Sequence, residues 1–127
     1  MAQWLLCGIL AVICVFHLYW AFGGRAGRDK VNPTVNGKPL LRIDFVACLG
    51  MAWIFLLLAG VPVVTMNPTL RKWLLIGMIV AFGGRAIGDF KYVGFFKSVK
   101  GTPFAYWDTR MFSPLNVLLA VLAGLSL

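Results

Sequence analysis

Apolar residues fill this chain in long blocks, with polar residues gathered between the blocks rather than alternating with them. From Ala2 to Phe22 the only strongly polar side chains are Gln3 and His17. A second block runs from about Leu40 to Gly60, opened by Pro39 and closed before Pro62, and Phe45 to Ala59 within it is wholly apolar or glycine. Asn67-Pro68 reads as an N-cap followed by proline in the first helical turn. A helix carried from there through Trp73 to Phe90 would be roughly 34 Å long, enough to cross a hydrocarbon core of about 30 Å. Ser113-Pro114 gives a second cap-like pair, yet Pro114 to Leu127 supplies only roughly 21 Å of helix. Such a helix either begins upstream near Tyr106 and is kinked at Pro114, spans a thinned bilayer, or stops short of the far side; the first is the reading adopted. The pattern predicts an all-α, polytopic membrane protein of one domain, residues 1–127, with four transmembrane helices at about 2–22, 40–60, 68–90 and 106–127.

Composition narrows the class further. Of the 127 residues, 61% are apolar and 13% charged, against about 45–50% and 25% in soluble domains. A chain this short cannot bury so much apolar surface behind a polar exterior, and disorder is excluded by the same content. No charged n-region or clear small-residue cleavage site marks the first block as a removable signal peptide. Cys7, Cys14 and Cys48 all lie in apolar blocks; their odd number and setting argue against a disulfide framework.

The net charge of +8 would point to nucleic acid in a soluble protein, but no stacking platform or groove-reading motif accompanies it, so nucleic acid is not an expected partner. Arg25, Arg28, Lys30, Lys38 and Arg42 fall between the first and second blocks. Arg85, Lys91, Lys97, Lys100 and Arg110 fall at the end of the third and beyond it, leaving Arg71 and Lys72 for the other side. The positive-inside rule places the two basic loops in the cytoplasm and both termini outside. The expected partners are anionic lipid headgroups at that face, with a second copy or another membrane protein as further candidates.

The hexapeptide Ala21-Phe22-Gly23-Gly24-Arg25-Ala26 recurs unchanged at Ala81–Ala86, and Asp29 and Asp89 continue the match. A duplicated helix pair and coincidence both account for it. On a helix, Arg25 with Asp29 and Arg85 with Asp89 stand four apart and within reach of each other. Ionisable groups beside a membrane block default to a functional hypothesis. The alternatives are an interfacial salt bridge with a snorkelling arginine and a polar cluster, joined by Asp108 and Arg110, that holds a headgroup or anionic substrate. His17 offers either a buried, hydrogen-bonded ring or a proton carrier; haem or metal would need more ligands than Cys14 and Cys7 add, and no cofactor is assigned. Between the third and fourth helices, Tyr92, Phe95, Phe96 and Val99 follow a helical stripe with Lys91, Lys97 and Lys100 outside it. That spacing predicts an interfacial segment with lysines among headgroups; a packed loop is the alternative.

Two stretches carry a resemblance: His17-Leu18-Tyr19-Trp20-Ala21-Phe22-Gly23-Gly24, and the run from Arg85 through Asp89-Phe90-Lys91-Tyr92-Val93-Gly94-Phe95-Phe96-Lys97 and Trp107-Asp108-Thr109-Arg110 to Ser113-Pro114. Together they resemble the uncharacterised bacterial family of small four-helix membrane proteins catalogued as domain of unknown function 3995. The resemblance implies an inner-membrane protein with its distinctive residues at one face, and no activity. The expected function is a binding or accessory role for a lipid, lipophilic ligand or membrane partner, through Trp20, Arg25, Arg85, Asp89, Tyr92, Trp107 and Arg110. A small membrane enzyme acting on a lipidic substrate is the alternative, with His17 as proton carrier, Asp89 or Asp108 as the second acid/base group, and Arg85 with Arg110 as anion clamp. An oligomeric transporter is the third reading.

Overall fold

A computed structural model describes residues 1–41 and 44–127, without the side chain of Asp29. Two expectations, the place of Arg42 and the Arg25–Asp29 pair, lie outside the described residues.

The chain is mainly helical. Helix α1 spans Ala2–Ala21; a short α2 (Arg28–Val31) and a hairpin of β1 (Thr34–Val35) and β2 (Lys38–Pro39) follow; then come α3 (Phe45–Gly60), α4 (Pro68–Ile87) and α5 (Pro103–Trp107). A π-helical turn, Asp108–Phe112, joins α5 without a break to α6 (Ser113–Leu125). The hairpin pairs Thr34 with Pro39 and Val35 with Lys38. Its tip is Asn36-Gly37, with φ of 53° and 76°, the signature of the primed turns that match strand twist. Asn32 holds its base, donating to the Leu41 carbonyl at 2.7 Å and accepting from the Leu41 N–H at 2.9 Å.

The four long elements overlap the expected blocks, with three of them shifted at one end. At the start of α4 the Asn67 side chain accepts from the N–H groups of Thr69 and Leu70, with Pro68 directly after it, as the cap reading predicts. The second element begins at Phe45 rather than Leu40, because Asp44 caps it through the Ala47 N–H at 2.9 Å. The third ends at Ile87 rather than Phe90, because Gly88 takes φ 86°. The fourth does begin before Pro114, but at Pro103: Thr102 caps it and accepts from the Ala105 N–H. Ser113 is therefore an interior helical residue and not a cap. Proline lacks an N–H and crowds the carbonyl four residues back, here that of Arg110, and the widened π turn lies just there.

The long helices pack in the order α3, α1, α6, α4. Leu6 and Leu10 of α1 meet Ala59 near the end of α3, Leu75, Met78 and Phe82 of α4, and Leu119, Leu122 and Ala123 of α6. Trp20 and Ala21, at the other end of α1, meet Cys48 near the start of α3. The α1–α3 pair is thus antiparallel. In α3 only Cys48, Ala52 and Ala59 are buried, a single narrow seam, while Val46, Trp53, Leu56 and Leu57 are exposed. Of the described helices, α1 alone is both long and apolar enough to cross a membrane by length and composition, and only 28% of its most apolar stretch is buried.

The repeated hexapeptide takes two different conformations. Its first copy ends α1 and turns back, with Gly23 at φ 94°; its second lies wholly inside α4. The neighbours decide. Tyr19 packs so closely on Gly24 that an added Cβ would sit 2.3 Å from its ring, whereas a Cβ on Gly84 meets nothing within 4 Å. Trp20 Nε1 donates to the Ala26 carbonyl at 2.8 Å, and the Ala26 N–H donates to the Tyr19 hydroxyl at 3.3 Å. Sixty residues on, Ile79 and Val80 occupy the equivalent places and can do neither.

Leu75 is fully buried and Leu57 is 68% exposed. Leu75→Ala is expected to cost about 2 kcal/mol or more, and Leu57→Ala no more than about 0.5 kcal/mol, read as thermal unfolding. Equal effects of the two would contradict the packing order.

Candidate functional site

The C-terminal end of α4, the segment after it and the α5–π–α6 arm converge on one carboxylate. Asp108 opens the π turn and is completely buried. Its Oδ1 accepts from Arg85 Nη2 at 2.9 Å; its Oδ2 accepts from the Gly94 N–H at 2.7 Å and from Lys97 Nζ at 3.2 Å. Lys97, also buried, spends its other two protons on the Gly94 carbonyl at 2.9 Å and the Thr109 hydroxyl. One carboxylate against two cations leaves the cluster with a surplus positive charge. The Arg85 side chain is one-third exposed; its guanidinium lies 5.9 Å from the Phe104 ring centroid, and its Nη1 is buried without a hydrogen-bond partner.

Lys97 and Gly94 were not among the expected site residues, and Lys97 overturns the interfacial reading of its own side chain: it points at Asp108 rather than among headgroups. The residue order carries no periodic signal for this, since its partner is eleven positions away across an irregular segment. The signal that was present is Gly94, whose φ of 88° breaks any helix from Lys91 to Lys100. That stretch is a succession of turns and bends, not an interfacial helix.

The expected Arg85–Asp89 pair does not form either, because α4 stops between them. Asp89 instead turns its Oδ1 onto three backbone donors, Lys91 at 2.9 Å, Tyr92 at 2.8 Å and Val93 at 3.0 Å. These N–H groups, that of Lys91 foremost, hold the Asp89 carboxyl below its ordinary value of 3.8. The loop they close is tight. Gly88 and Gly94 both have left-handed φ, and a Cβ on Gly88 would fall 1.8 Å from the Val93 carbonyl oxygen.

The remaining expected residues divide between two places. Trp107 lies beneath Lys30, whose Nζ is 4.8 Å from the ring, so the first basic loop packs on the fourth helical arm. Arg110 is exposed and sits 4.5 Å over Tyr106, away from Asp108; Arg85 and Arg110 are thus engaged with different partners. Tyr92 is half-buried with Lys91 5.1 Å above its ring, Arg25 is exposed, and Trp20 is buried at the end of α1. Arg28 Nη2 donates to the Trp20 carbonyl at 3.0 Å. His17 is remote in its contacts: Nδ1 bonds the Ile13 carbonyl at 2.8 Å, and the ring packs on Trp20 and Phe55. Among the described residues no group of three or more His, Cys, Asp and Glu side chains is placed to hold a metal ion.

A family model described as protein of unknown function (DUF3995) matches residues 10–123, and the chain belongs to that family. No curated protein and no solved structure matches the chain.

Removing the Asp108 charge strands two cations, one of them buried. Asp108→Asn is expected to destabilise the fold by about 3–5 kcal/mol. Lys97→Met in that background should recover part of the loss, giving a coupling above about 1 kcal/mol in a double-mutant cycle of thermal unfolding; additive effects would contradict the clamp. Asp89 has its own signature. Because its folded value is lowered, its support of the loop is whole above about pH 3.8 and is lost as pH falls through the lower folded value. The amide resonances of Lys91, Tyr92 and Val93 should titrate together with a midpoint below 3.8.

Proposed function

We propose that this chain is a multi-pass protein of the bacterial inner membrane that binds anionic lipid, or a lipophilic ligand or membrane partner, at a basic and aromatic cytoplasmic end. The observation that carries the membrane part is the inverted surface of the bundle. Helix α1 leaves most of its apolar length uncovered, where the core helix of a soluble protein is mostly buried. Trp4, Val12, Val15 and Phe16 on α1, Trp53 and Leu57 on α3, Trp73 and Val80 on α4, and Val121 and Leu125 on α6 are all exposed. So many exposed large apolar side chains on all four long helices call for an apolar solvent or a partner. In this reading α3, roughly 24 Å long, crosses with help from its flanking turns and local thinning. The α5–π–α6 arm, roughly 34 Å long, reaches the full width.

Binding is favoured over catalysis by how the acids are used. An acid/base mechanism needs a carboxylate with a free lone pair or proton beside the substrate. Asp108 is completely buried among three donors, the Asp89 carboxyl is held below its ordinary value by its own loop and is thereby a weak base, and His17 is bonded to backbone. The cluster nevertheless keeps a positive surplus, and Arg25, Lys30, Lys91, Lys100 and Arg110 are exposed around the loops. That is the chemistry of a surface for phosphates.

Orientation and ligand are tested together. In a background with the native cysteines replaced, Ser98→Cys should react with an impermeant thiol reagent only from the cytoplasm, and Leu127→Cys, at an exposed position, only from outside. Labelling of both from one side would overturn the four-span arrangement, and the reverse pattern would overturn the orientation. Native mass spectrometry from mild detergent should show retained anionic phospholipid, reduced several-fold in Arg25→Gln/Lys30→Gln/Lys91→Gln/Lys100→Gln; retention unchanged by these substitutions would remove the headgroup reading.

A further inference from the structure

The loop that Asp89 closes carries a feature the cluster does not require. Its ends touch: besides the Gly88 contact, a Cβ on Gly94 would lie 2.3 Å from the Ile87 carbonyl oxygen, and the Phe95 N–H donates to the Ala86 carbonyl at 2.8 Å. With the loop interior filled by its own backbone, the Phe90 side chain is left outside. Phe90 takes φ 64°, a left-handed conformation that a bulky residue rarely adopts, and is 64% exposed. Phe96 is equally exposed, and the two rings lie 6.3 Å apart. One residue further on, Lys97 is locked to Asp108. The aromatic pair is therefore presented on a rigid base, clamped on one side by Asp89 and on the other by Asp108. Strained backbone that displays an apolar pair persists only where the surroundings over-determine it, and such places concentrate at functional sites.

The charge around the pair selects what it meets. Lys91 and Lys100 are exposed at its edges, while the nearest acid, Asp89, directs an oxygen to three backbone N–H groups. Exposed aromatics rimmed by lysines match the boundary between acyl chains and anionic headgroups: the rings enter the apolar side and the ammonium groups stay among phosphates. A protein partner would have to supply both an apolar socket and acidic rims, whereas the leaflet beside the bundle supplies both already. We infer that residues 88–100 form a preformed anchor that seats Phe90 and Phe96 in an anionic glycerophospholipid leaflet, with Lys91 and Lys100 among its phosphates. This rests on the membrane reading above, which gives the loop a leaflet to meet.

The test keeps the two apart. Nitroxide labels are placed singly at Phe90→Cys, Phe96→Cys and, on the exposed face of α4, Val80→Cys, all in the full chain with native cysteines replaced. The chain is reconstituted in vesicles of phosphatidylcholine alone or mixed equally with phosphatidylglycerol. The ratio of oxygen to nickel-chelate accessibility at 90 and 96 should lie several-fold above that of a water-exposed label. It should rise further with phosphatidylglycerol and lose that rise in Lys91→Gln/Lys100→Gln. A water-like ratio at 90 and 96 with a lipid-like ratio at 80 overturns the anchor and leaves the membrane reading standing. Water-like ratios at all three overturn both. Lipid-like ratios that ignore phosphatidylglycerol overturn the anionic partner. If one label disturbs the loop, the other of the pair reports independently.

Discussion

Asp108 receives donors from three separate places in the chain: a guanidinium from the last turn of α4, a backbone N–H from the middle of the following loop, and an ammonium three residues beyond it. A buried carboxylate is tolerable only with such partners, because each ion removed from water costs several kcal/mol that attraction and hydrogen bonds must offset. The dependence runs in both directions. Lys97 is as deeply buried as the carboxylate it serves, so loop, α4 and the fourth arm hold their relative positions or all three expose unpaired charge. The π turn fits this constraint. An arm that must carry Pro114 widens its helix just upstream, and Asp108 stands at the start of the widened turn.

The same constraint explains why the site sits at a helix end. In the middle of the bundle the contacts are among apolar side chains such as Leu6, Leu10, Leu75, Met78, Leu119 and Leu122, and a charge there would find no side-chain donors among them. Beyond Ile87 the backbone leaves helical hydrogen bonding, and free N–H groups become available. Gly94 gives one to Asp108, and Lys91, Tyr92 and Val93 give theirs to Asp89. Two acids in adjacent segments thereby solve the problem of unsatisfied backbone in a tight loop, which leaves the exposed basic groups around them uncompensated.

Much of the architecture was legible because it rests on local chemistry. Blocks of apolar residues locate the long helices, and Asn67-Pro68 fixes the start of α4 through a side-chain cap that needs only its own neighbours. Residue spacing failed where a contact crosses the chain. Arg85 and Asp89 have the spacing of a helical ion pair, but Gly88 ends the helix between them and each finds another partner. Lys97 looked like a surface lysine because its partner lies past an irregular stretch. Asn36-Gly37 is a local hairpin cue, but it lies between two apolar blocks whose periodicity carries no sign of it. Thr102-Pro103 was likewise a better cap than Ser113-Pro114, whose serine is internal to a continuous arm.

The repeated hexapeptide shows how little a short identical sequence decides by itself. Both copies hold two glycines, which accept a helix or a turn at small cost in either direction. The choice falls to residues outside the repeat. Tyr19 covers Gly24, Trp20 bonds Ala26, and the first copy folds back to end α1; Ile79 and Val80 offer neither contact, and the second copy stays helical. The consequence reaches the candidate site. Only because the second copy remains helical does Arg85 project from the last turn of α4 to meet Asp108, while Arg25, in the turned copy, remains exposed. Two arginines in identical hexapeptides thus take opposite tasks, one bracing the loop end and one facing outward.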